Sequence, residues 1–534
     1  MNRMEIKKKQ LMILSGMLLY VTVILLTNMI GDLGMAYFAA AAEFYMLFWF
    51  LLTAGIPDYV EKLVRSRIAK GQYKNADKVF VAALGYGLAA GILGGVVLFF
   101  GSRLFTAGLL QIPEASLALK LLAPLFFLST VCAVLQGYFQ GIGTAMPTVV
   151  SGILKQLSGL LFAALFGSML RGYGEKAGAL LHNSKFASMY GAAGAALGFL
   201  CAAFLPLLFL ILIYFSAGRR ARRKAKEGMR LTEDGIEVLR LLILSMLPAA
   251  GTYFLGRLSI LTGLFFYQGK QTDLITGLTA YGAFYGKYLA VAGLLIAVVL
   301  LAVTGVEGEV IHMVKKEEYK NAKTYLRGGI QSVFMLAGFL SMLCLTLAPG
   351  FARLLFGEGE NIAASCIRHG SLFVLFFSMG VYFTHILSGI GRQKTVLLVL
   401  LGAFLFFVIA VVAGLKLAAG NVLALVYAQL VFAVAYCLIS GFFLFRAIRY
   451  NPDWVHAFVL PTAAVMVTGL CTFLLNQAFA SLAGEALAAV ICTFIGGGCY
   501  LVLLFVFRCI NQKDLYVLPG GRLLGKVGAF LHFL

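Results

Sequence analysis

The chain has 534 residues, of which 61% are hydrophobic and 12% charged, and its formal net charge is +21. This composition excludes a soluble globular protein of that length, because a domain folded in water could not cover so much apolar surface. It also argues against nucleic-acid binding, since the Lys and Arg residues lie in short segments between apolar runs and not on one basic face. The composition is that of a protein that folds in a lipid bilayer.

Apolar runs of about 20 residues, the length that crosses a bilayer as a helix, recur along the whole chain. They predict an all-α polytopic membrane protein with about fourteen transmembrane helices. The first run is longer than the core of a signal peptide, so we count it as the first span. In chain order the predicted spans are 10–30, 37–56, 79–101, 117–138, 147–169, 188–214, 240–263, 282–304, 328–349, 367–388, 395–415, 421–445, 456–477 and 484–507.

Basic residues indicate the orientation of the chain, because cytoplasmic loops of membrane proteins collect Lys and Arg. Most of the 43 Lys and Arg residues fall in alternate loops, which predicts a multi-pass protein of the cell membrane with both termini cytoplasmic. The most basic loop, "GRRARRKAKEGMR" from Gly218, follows the sixth span. We interpret it as a solvated cytoplasmic connector, and contact with anionic lipid headgroups is the alternative.

Two short motifs occur twice at nearly the same offset in the chain. Tyr-Lys-Asn-Ala occupies Tyr73–Ala76 and Tyr319–Ala322, and Gly-Ile-Gly occupies Gly141–Gly143 and Gly389–Gly391. A repeat with an even number of spans keeps its orientation, so the halves should be related by a pseudo-twofold axis along the membrane normal. The predicted organisation is an N-terminal six-helix lobe (1–217), a basic cytoplasmic connector (218–239), a C-terminal six-helix lobe (240–450) and an appended helix pair with a cytoplasmic tail (451–534).

Three stretches carry a resemblance to a known family: "LLTAGIPDYVEKLVRSRIAKGQYKNADKVF", "GYFQGIGTAMPTVVSGILKQL" and "LSGIGRQKTVLLVLL". There the chain resembles the polysaccharide and lipid-linked oligosaccharide flippases of the multidrug/oligosaccharidyl-lipid/polysaccharide exporter (MOP) superfamily, in the branch of stage V sporulation protein B and the lipid II flippase. The resemblance implies alternating access by two rocking lobes, which moves an anionic polyprenyl-linked saccharide from the inner to the outer leaflet.

The chain departs from the family pattern at two places. The family often has Ser-Arg-x-x-Gly late in the first helix, and Asn28 stands here at the position of that arginine. The family commonly has Glu-Gln in the fifth helix, where this chain has Lys155 and Gln156. The resemblance therefore does not specify lipid II as the substrate.

Ionisable residues inside predicted spans are candidates for function, because each costs several kcal/mol unless it is paired or hydrated. The acid well inside a span is Glu43, and the bases are Lys155, Arg257 and Lys287. This basic balance favours a pyrophosphate headgroup over a cationic drug. Helices 1, 2, 7 and 8 are expected to line the cleft between the lobes, so we predict that Glu43 pairs with Arg257 or Lys287 in a closed gate.

The predicted substrate-binding residues are therefore Asn28, Glu43, Lys155, Arg257 and Lys287. For the bases, the alternative is that their long side chains reach the membrane interface without a functional role. The anionic lipid-linked saccharide and membrane lipids are the predicted partners, and the sequence indicates no oligomeric state.

The remaining reactive residues suggest no further chemistry. His312, His369, His385 and His456 show no partner at a recognisable spacing, so we interpret them as interface residues and not proton relays. The nine cysteines form no Cys-x-x-Cys pair, which predicts neither a metal site nor a disulfide framework, and no cofactor is predicted. An enzyme is disfavoured because no nucleophile and base stand at a known spacing. A drug or metabolite exporter of the same fold and a non-transporting membrane scaffold remain as alternatives to a flippase.

Overall fold

A computed structural model describes residues 3–226, 233–357, 359, 361–418 and 420–510, and a few single residues beyond them. Every regular element of this part of the chain is helical, and the protein is an all-α polytopic membrane protein, as the apolar runs predict. The helices are α1 (Arg3–Thr53), α2 (Ile56–Ala69), α3 (Tyr73–Arg103), α4 (Ser116–Gly141), α5 (Met146–Leu180), α6 (Lys185–Lys226), α7 (Gly235–Gln268), α8 (Leu274–Ala283), α9 (Ala290–Lys315), α10 (Tyr319–Thr346), α11 (Ala348–Phe356), α12 (Ile362–His369), α13 (Ser371–Gly389), α14 (Gln393–Leu417), α15 (Leu423–Ile448), α16 (Leu460–Ala483) and α17 (Glu485–Val506).

Thirteen segments of the described residues are long and apolar enough to cross a bilayer. One of them, Lys8–Ala69, has 62 residues and contains the first two predicted spans. A π-helical turn, Phe284–Leu289, joins α8 to α9 in another continuous segment, Leu274–Lys315. The predicted ends at 169 and 304 are wrong, because α5 continues to Leu180 and α9 to Lys315. Charged residues in these last turns ended the apolar runs without ending the helices.

Gly31 divides α1 into two helices, 3–30 and 32–53. Its φ of 76° and ψ of 167° are not helical, and glycine adopts a positive φ without the steric penalty of other residues. The carbonyl groups before this break lose the partners that a continuous helix would provide. The break therefore leaves polar backbone to be satisfied by neighbouring side chains.

The two copies of Tyr-Lys-Asn-Ala begin helices through the same turn. In the first copy, Gln72 N bonds Arg67 O and Tyr73 N bonds Gly71 O. In the second, the corresponding bonds run from Glu318 N to Met313 O and from Tyr319 N to Glu317 O. Gly71 and Glu317 both have a positive φ, 71° and 64°. The first repeat motif is therefore a structural repeat.

The two Gly-Ile-Gly copies also share one turn. Gly143 N bonds Gln140 O after α4, and Gly391 N bonds Ser388 O after α13. The φ angles of the last glycines are 89° and 88°. Both motifs thus adopt equivalent local structures in each half of the chain. The pseudo-twofold relation of whole lobes, and their boundaries at 217, 239 and 450, stay predictions.

Residues 25–282 form one compact unit. Within it, α7 runs antiparallel to residues 32–53 of α1, and we call this contact the α1–α7 seam. Tyr253 of α7 stacks on Phe50 at 5.4 Å between ring centroids, and a Cβ on Gly55 would lie 3.7 Å from Ala249 Cβ. At the start of α7, Met246 joins the buried apolar cluster of α2, α3 and α4. The seventh predicted span is thus packed against the spans that precede the connector.

The predicted connector lies partly outside the described residues, which omit 227–232. Residues 218–226 continue α6, and Asp234 caps the start of α7 by accepting a hydrogen bond from Ile236 N at 3.4 Å. Beside this cap, Arg67 Nη2 lies 3.1 Å from Glu233 Oε2, and Lys78 Nζ donates to Glu233 O at 2.7 Å. The entry to α7 is therefore anchored to α2 and α3.

Residues 1–24 and 283–534 form the second compact unit. Residues 3–24 of α1 run antiparallel to α9, and we call this contact the α1–α9 seam. Ile24 packs with Ala290 at one end, and a Cβ on Gly305 would lie 4.0 Å from Ile6 Cγ2 at the other. The predicted eighth span thus packs against the first one.

The appended helix pair, α16 and α17, packs on α10 and α11 in this second unit. The Tyr500 hydroxyl donates to Met335 O at 2.9 Å. Arg353 Nη1 lies 3.2 Å from Glu485 Oε2, where both side chains are more than a third exposed. A buried hydrogen bond and a surface ion pair therefore hold the pair to the rest of the unit.

Candidate functional site

Glu43 and Arg257 form an ion pair in the α1–α7 seam. Arg257 Nη1 donates to Glu43 Oε1 at 3.1 Å. The Glu43 side chain is fully buried, whereas that of Arg257 is 31% exposed. The residues are 214 positions apart in the chain, and the antiparallel packing of the two helices brings these predicted site residues together.

The electrostatics of the pair depend on its uneven burial. A buried carboxylate without a cation would cost several kcal/mol, because it loses its hydration. Arg257 supplies the opposite charge, and its guanidinium forks match carboxylate and phosphate oxygens equally well. The Arg257 side chain is therefore an anion-binding group that in this structure bonds a protein carboxylate.

Lys287 lies in the other unit and is also buried. Its side chain belongs to the π-helical turn Phe284–Leu289, a type of turn that often marks functional positions. Only 3% of the residue is exposed, and Nζ lies 5.4 Å from the Phe356 ring centroid. The Lys287 side chain is therefore buried in this structure and does not extend to the membrane interface, which was the alternative. A shared site of Lys287 and Arg257 stays a prediction.

Lys155 projects from α5 with an exposed side chain. It stands nine residues after the start of α5, about 13 Å along the helix axis. One turn earlier, Gln136 of α4 donates to Ser151 Oγ of α5 at 2.9 Å. A role of Lys155 in substrate binding stays a prediction.

Asn28 lies three residues before the break at Gly31 and is exposed. Arg171 of α5, which lies outside the predicted spans, reaches the same part of α1. Arg171 Nη1 donates to Met29 O at 2.5 Å, and its Nε donates to Glu175 Oε1 at 3.3 Å. A cation at a helix C-terminus satisfies unpaired carbonyl groups and opposes the helix dipole. Arg171 therefore stabilises the broken end of the first helix.

A second group missed from the sequence lies in the α1–α9 seam. Glu307 of α9 is 8% exposed, and its Oε2 lies 3.5 Å from His385 Nδ1 of α13. Lys9 Nζ of α1 lies 4.0 Å from Glu307 Oε1. The interpretation of His385 as a residue without a partner is wrong, as is that of His456, whose Nδ1 lies 2.9 Å from Asp453 Oδ2. The sequence feature that could have identified Glu307 is an acidic residue directly after a long apolar run.

Comparisons with known proteins identify relatives of this chain. A family described as polysaccharide biosynthesis protein matches residues 11–232. Stage V sporulation protein B of Bacillus subtilis (strain 168) is 22% identical over 524 residues, which are 95% of this chain and 96% of that protein. Lipid II flippase MurJ of the same organism is 25% identical over 142 residues, which are 25% of this chain and 26% of that protein.

The fold is also found among solved structures. The inward-facing structure of a multidrug resistance MATE family transporter of the MOP superfamily superposes with a TM-score of 0.60. Its sequence is 16% identical, and the match covers 82% of this chain and 95% of the transporter. This likeness shows a shared fold. By their names, MurJ is a flippase and the solved structure is that of a transporter.

Proposed function

We propose that this chain is a flippase-like protein of the MOP superfamily and that it moves a lipid-linked saccharide precursor from the inner to the outer leaflet by alternating access. The proposed substrate carries a polyprenyl-pyrophosphate group, whose negative charge requires a cationic binding group in the protein. The name of one Bacillus relative, lipid II flippase MurJ, and the description of the matching family, polysaccharide biosynthesis protein, support this substrate class.

The ion pair of Glu43 and Arg257 carries the proposal. A phosphate group that approaches Arg257 competes with Glu43 for the same guanidinium donors. When Arg257 turns to the phosphate, the buried carboxylate of Glu43 loses the Arg257 charge, which weakens the contact between α1 and α7. Binding of the headgroup and opening of the seam are therefore coupled, as alternating access requires.

The experiment uses purified protein in liposomes with a polyprenyl-pyrophosphate disaccharide that carries a fluorescent group on the sugar. Dithionite added outside the liposomes destroys the fluorescence of probe molecules in the outer leaflet. Probe molecules in the inner leaflet are protected until transport moves them outward, so the further loss of fluorescence measures flipping. The wild-type protein should expose it, Arg257→Gln should reduce the rate to that of empty liposomes, and Arg257→Lys should restore part of it, because bidentate phosphate contact is lost.

Arg353→Ala is the matched control, since it removes an arginine–glutamate pair of similar length between α11 and the appended helix pair. It should flip the probe at the wild-type rate. If Arg257→Gln also flips at that rate, the role of Arg257 is wrong. If the wild-type protein exposes no probe, the flippase proposal is wrong and a membrane scaffold is the better account.

A drug exporter of the same fold is the second candidate, because the buried carboxylate of Glu43 is the kind of group that attracts a cationic drug. The same liposomes can be tested with a fluorescent cationic dye. Under the flippase proposal the wild-type protein does not transport the dye. Dye transport that Glu43→Gln abolishes would favour the exporter.

A further inference from the structure

We propose that Lys9, Glu307 and His385 form a proton-binding site that, once deprotonated, holds the α1–α9 seam closed at the end where α1 begins. The site lies in a different unit from the ion pair of Glu43 and Arg257. Its ligand is a proton supplied by water, and its operation does not depend on the identity of the transported molecule.

Three helices bring the site together around one carboxylate. Glu307 comes from α9, His385 from α13 and Lys9 from α1, at distances of 3.5 Å and 4.0 Å from the two carboxylate oxygens. The Glu307 side chain is 11% exposed, whereas those of His385 and Lys9 are 52% and 46% exposed. The carboxylate is thus nearly enclosed, whereas about half of each base is exposed.

Tyr382 gives a second, independent sign of a polar site. It lies one turn before His385 on α13 and is fully buried. Its hydroxyl has no hydrogen-bond partner among the described residues, which normally costs free energy. A Cβ on Gly329 of α10 would lie 1.8 Å from this hydroxyl. Glycine at 329 therefore makes room for a buried hydroxyl one turn from His385.

The charges around Glu307 define how the site responds to protons. Among the described residues, the charged groups within ion-pair distance of Glu307 are His385 and Lys9, and α10 presents Gly329 on the side where it packs on α13. An ordinary imidazole changes charge between about pH 5 and pH 8. At the acidic end of this range Glu307 has two cationic partners from two helices. As the pH rises and His385 loses its proton, Lys9 alone opposes the carboxylate.

The site therefore couples a proton to the packing of α1. With His385 protonated, Glu307 has a cationic partner on α13, and the imidazolium repels Lys9. With His385 neutral, Lys9 is the cation left to compensate the nearly enclosed carboxylate, at 4.0 Å, and this attraction holds α1 to α9. Release of the proton therefore tightens the start of α1 against α9.

Cross-linking across the seam tests the proposal. Ile6→Cys and Gly305→Cys are introduced into a cysteine-free protein, because a Cβ at 305 fits beside Ile6 without a clash. The rate of disulfide formation with a soluble oxidant is measured in membrane vesicles between about pH 5.5 and pH 8. Thiols react faster as the pH rises, so each rate is divided by that of the same cysteine pair in a His385→Gln background.

This ratio should rise about fivefold from the acidic to the basic end, the order expected for one partly exposed ion pair. Lys9→Gln removes the link to α1 from an exposed position, so it should make the ratio independent of pH without disturbing the fold. A ratio that is flat in the otherwise unmodified protein overturns the proposal. A pH dependence that persists in Lys9→Gln overturns it as well.

Discussion

The guanidinium of Arg257 donates to the fully buried carboxylate of Glu43 at 3.1 Å. Breaking such a pair from one side leaves a charge without compensation, whereas removing both charges does not. We expect Arg257→Gln to lower the free energy of unfolding by about 1–3 kcal/mol, since the arginine is partly exposed. Glu43→Gln should cost less, and the double variant less than the sum of both.

Denaturant unfolding of the detergent-purified variants in a double-mutant cycle measures this coupling. Arg353→Ala with Glu485→Ala, an exposed pair, is the control cycle and should give a coupling below about 1 kcal/mol. Equal coupling in the two cycles would contradict the assignment of Glu43 as a buried, charged partner.

Arg171 should stabilise the break in α1. Arg171→Gln removes the hydrogen bond to Met29 O and should lower the free energy of unfolding by about 1–2 kcal/mol, because a charged donor to a carbonyl group is lost. Glu175→Gln removes only the exposed partner of the same arginine and should cost about 0–0.5 kcal/mol. Unfolding measurements that give both variants the same loss would show that the contact with Met29 does not stabilise the break.

Gly329 and Gly338 of α10 should respond differently to alanine. Alanine normally stabilises a helix by about 0.5–1 kcal/mol relative to glycine, and a Cβ on Gly338 would meet Val465 at an ordinary 3.4 Å. A Cβ on Gly329 would collide with the enclosed Tyr382 hydroxyl, so Gly329→Ala should destabilise by about 1–3 kcal/mol. Thermal unfolding in detergent compares the two. A Gly329→Ala protein at least as stable as the wild type would refute the close approach.

The two asparagines of the Tyr-Lys-Asn-Ala repeat should differ in importance. Asn75 is 5% exposed, and its Oδ1 accepts a hydrogen bond from Glu233 N at 3.0 Å. Asn321 is exposed and donates to the nearby Glu318 Oε2 at 3.2 Å. Asn75→Ala should therefore cost about 1–2 kcal/mol of unfolding free energy, and Asn321→Ala almost none. Equal losses would mean that Asn75 does not anchor the start of α7.

The sequence by itself determined the membrane class and the two repeated turns, whereas it predicted fourteen spans and the described residues contain thirteen candidate segments. Apolar runs report the length of a helix in lipid because every backbone polar group there must bond within the helix. The turns at Gly71 and Glu317, and at Gly143 and Gly391, depend on neighbouring residues, so equal motifs adopt equal conformations. The presence of Glu43 and Arg257 inside spans was also evident, because a charge in an apolar run is a local feature.

The tertiary structure decided which of these charges meet. Glu43 pairs with Arg257 and Glu307 with His385 because antiparallel or neighbouring helices bring together residues far apart in the chain, and no local pattern encodes that choice. Arg171 and Glu307 were not predicted from the sequence for a related reason. Both lie where an apolar run has ended but the helix continues, since a charged side chain is stable at the end of a span once another helix supplies its partner.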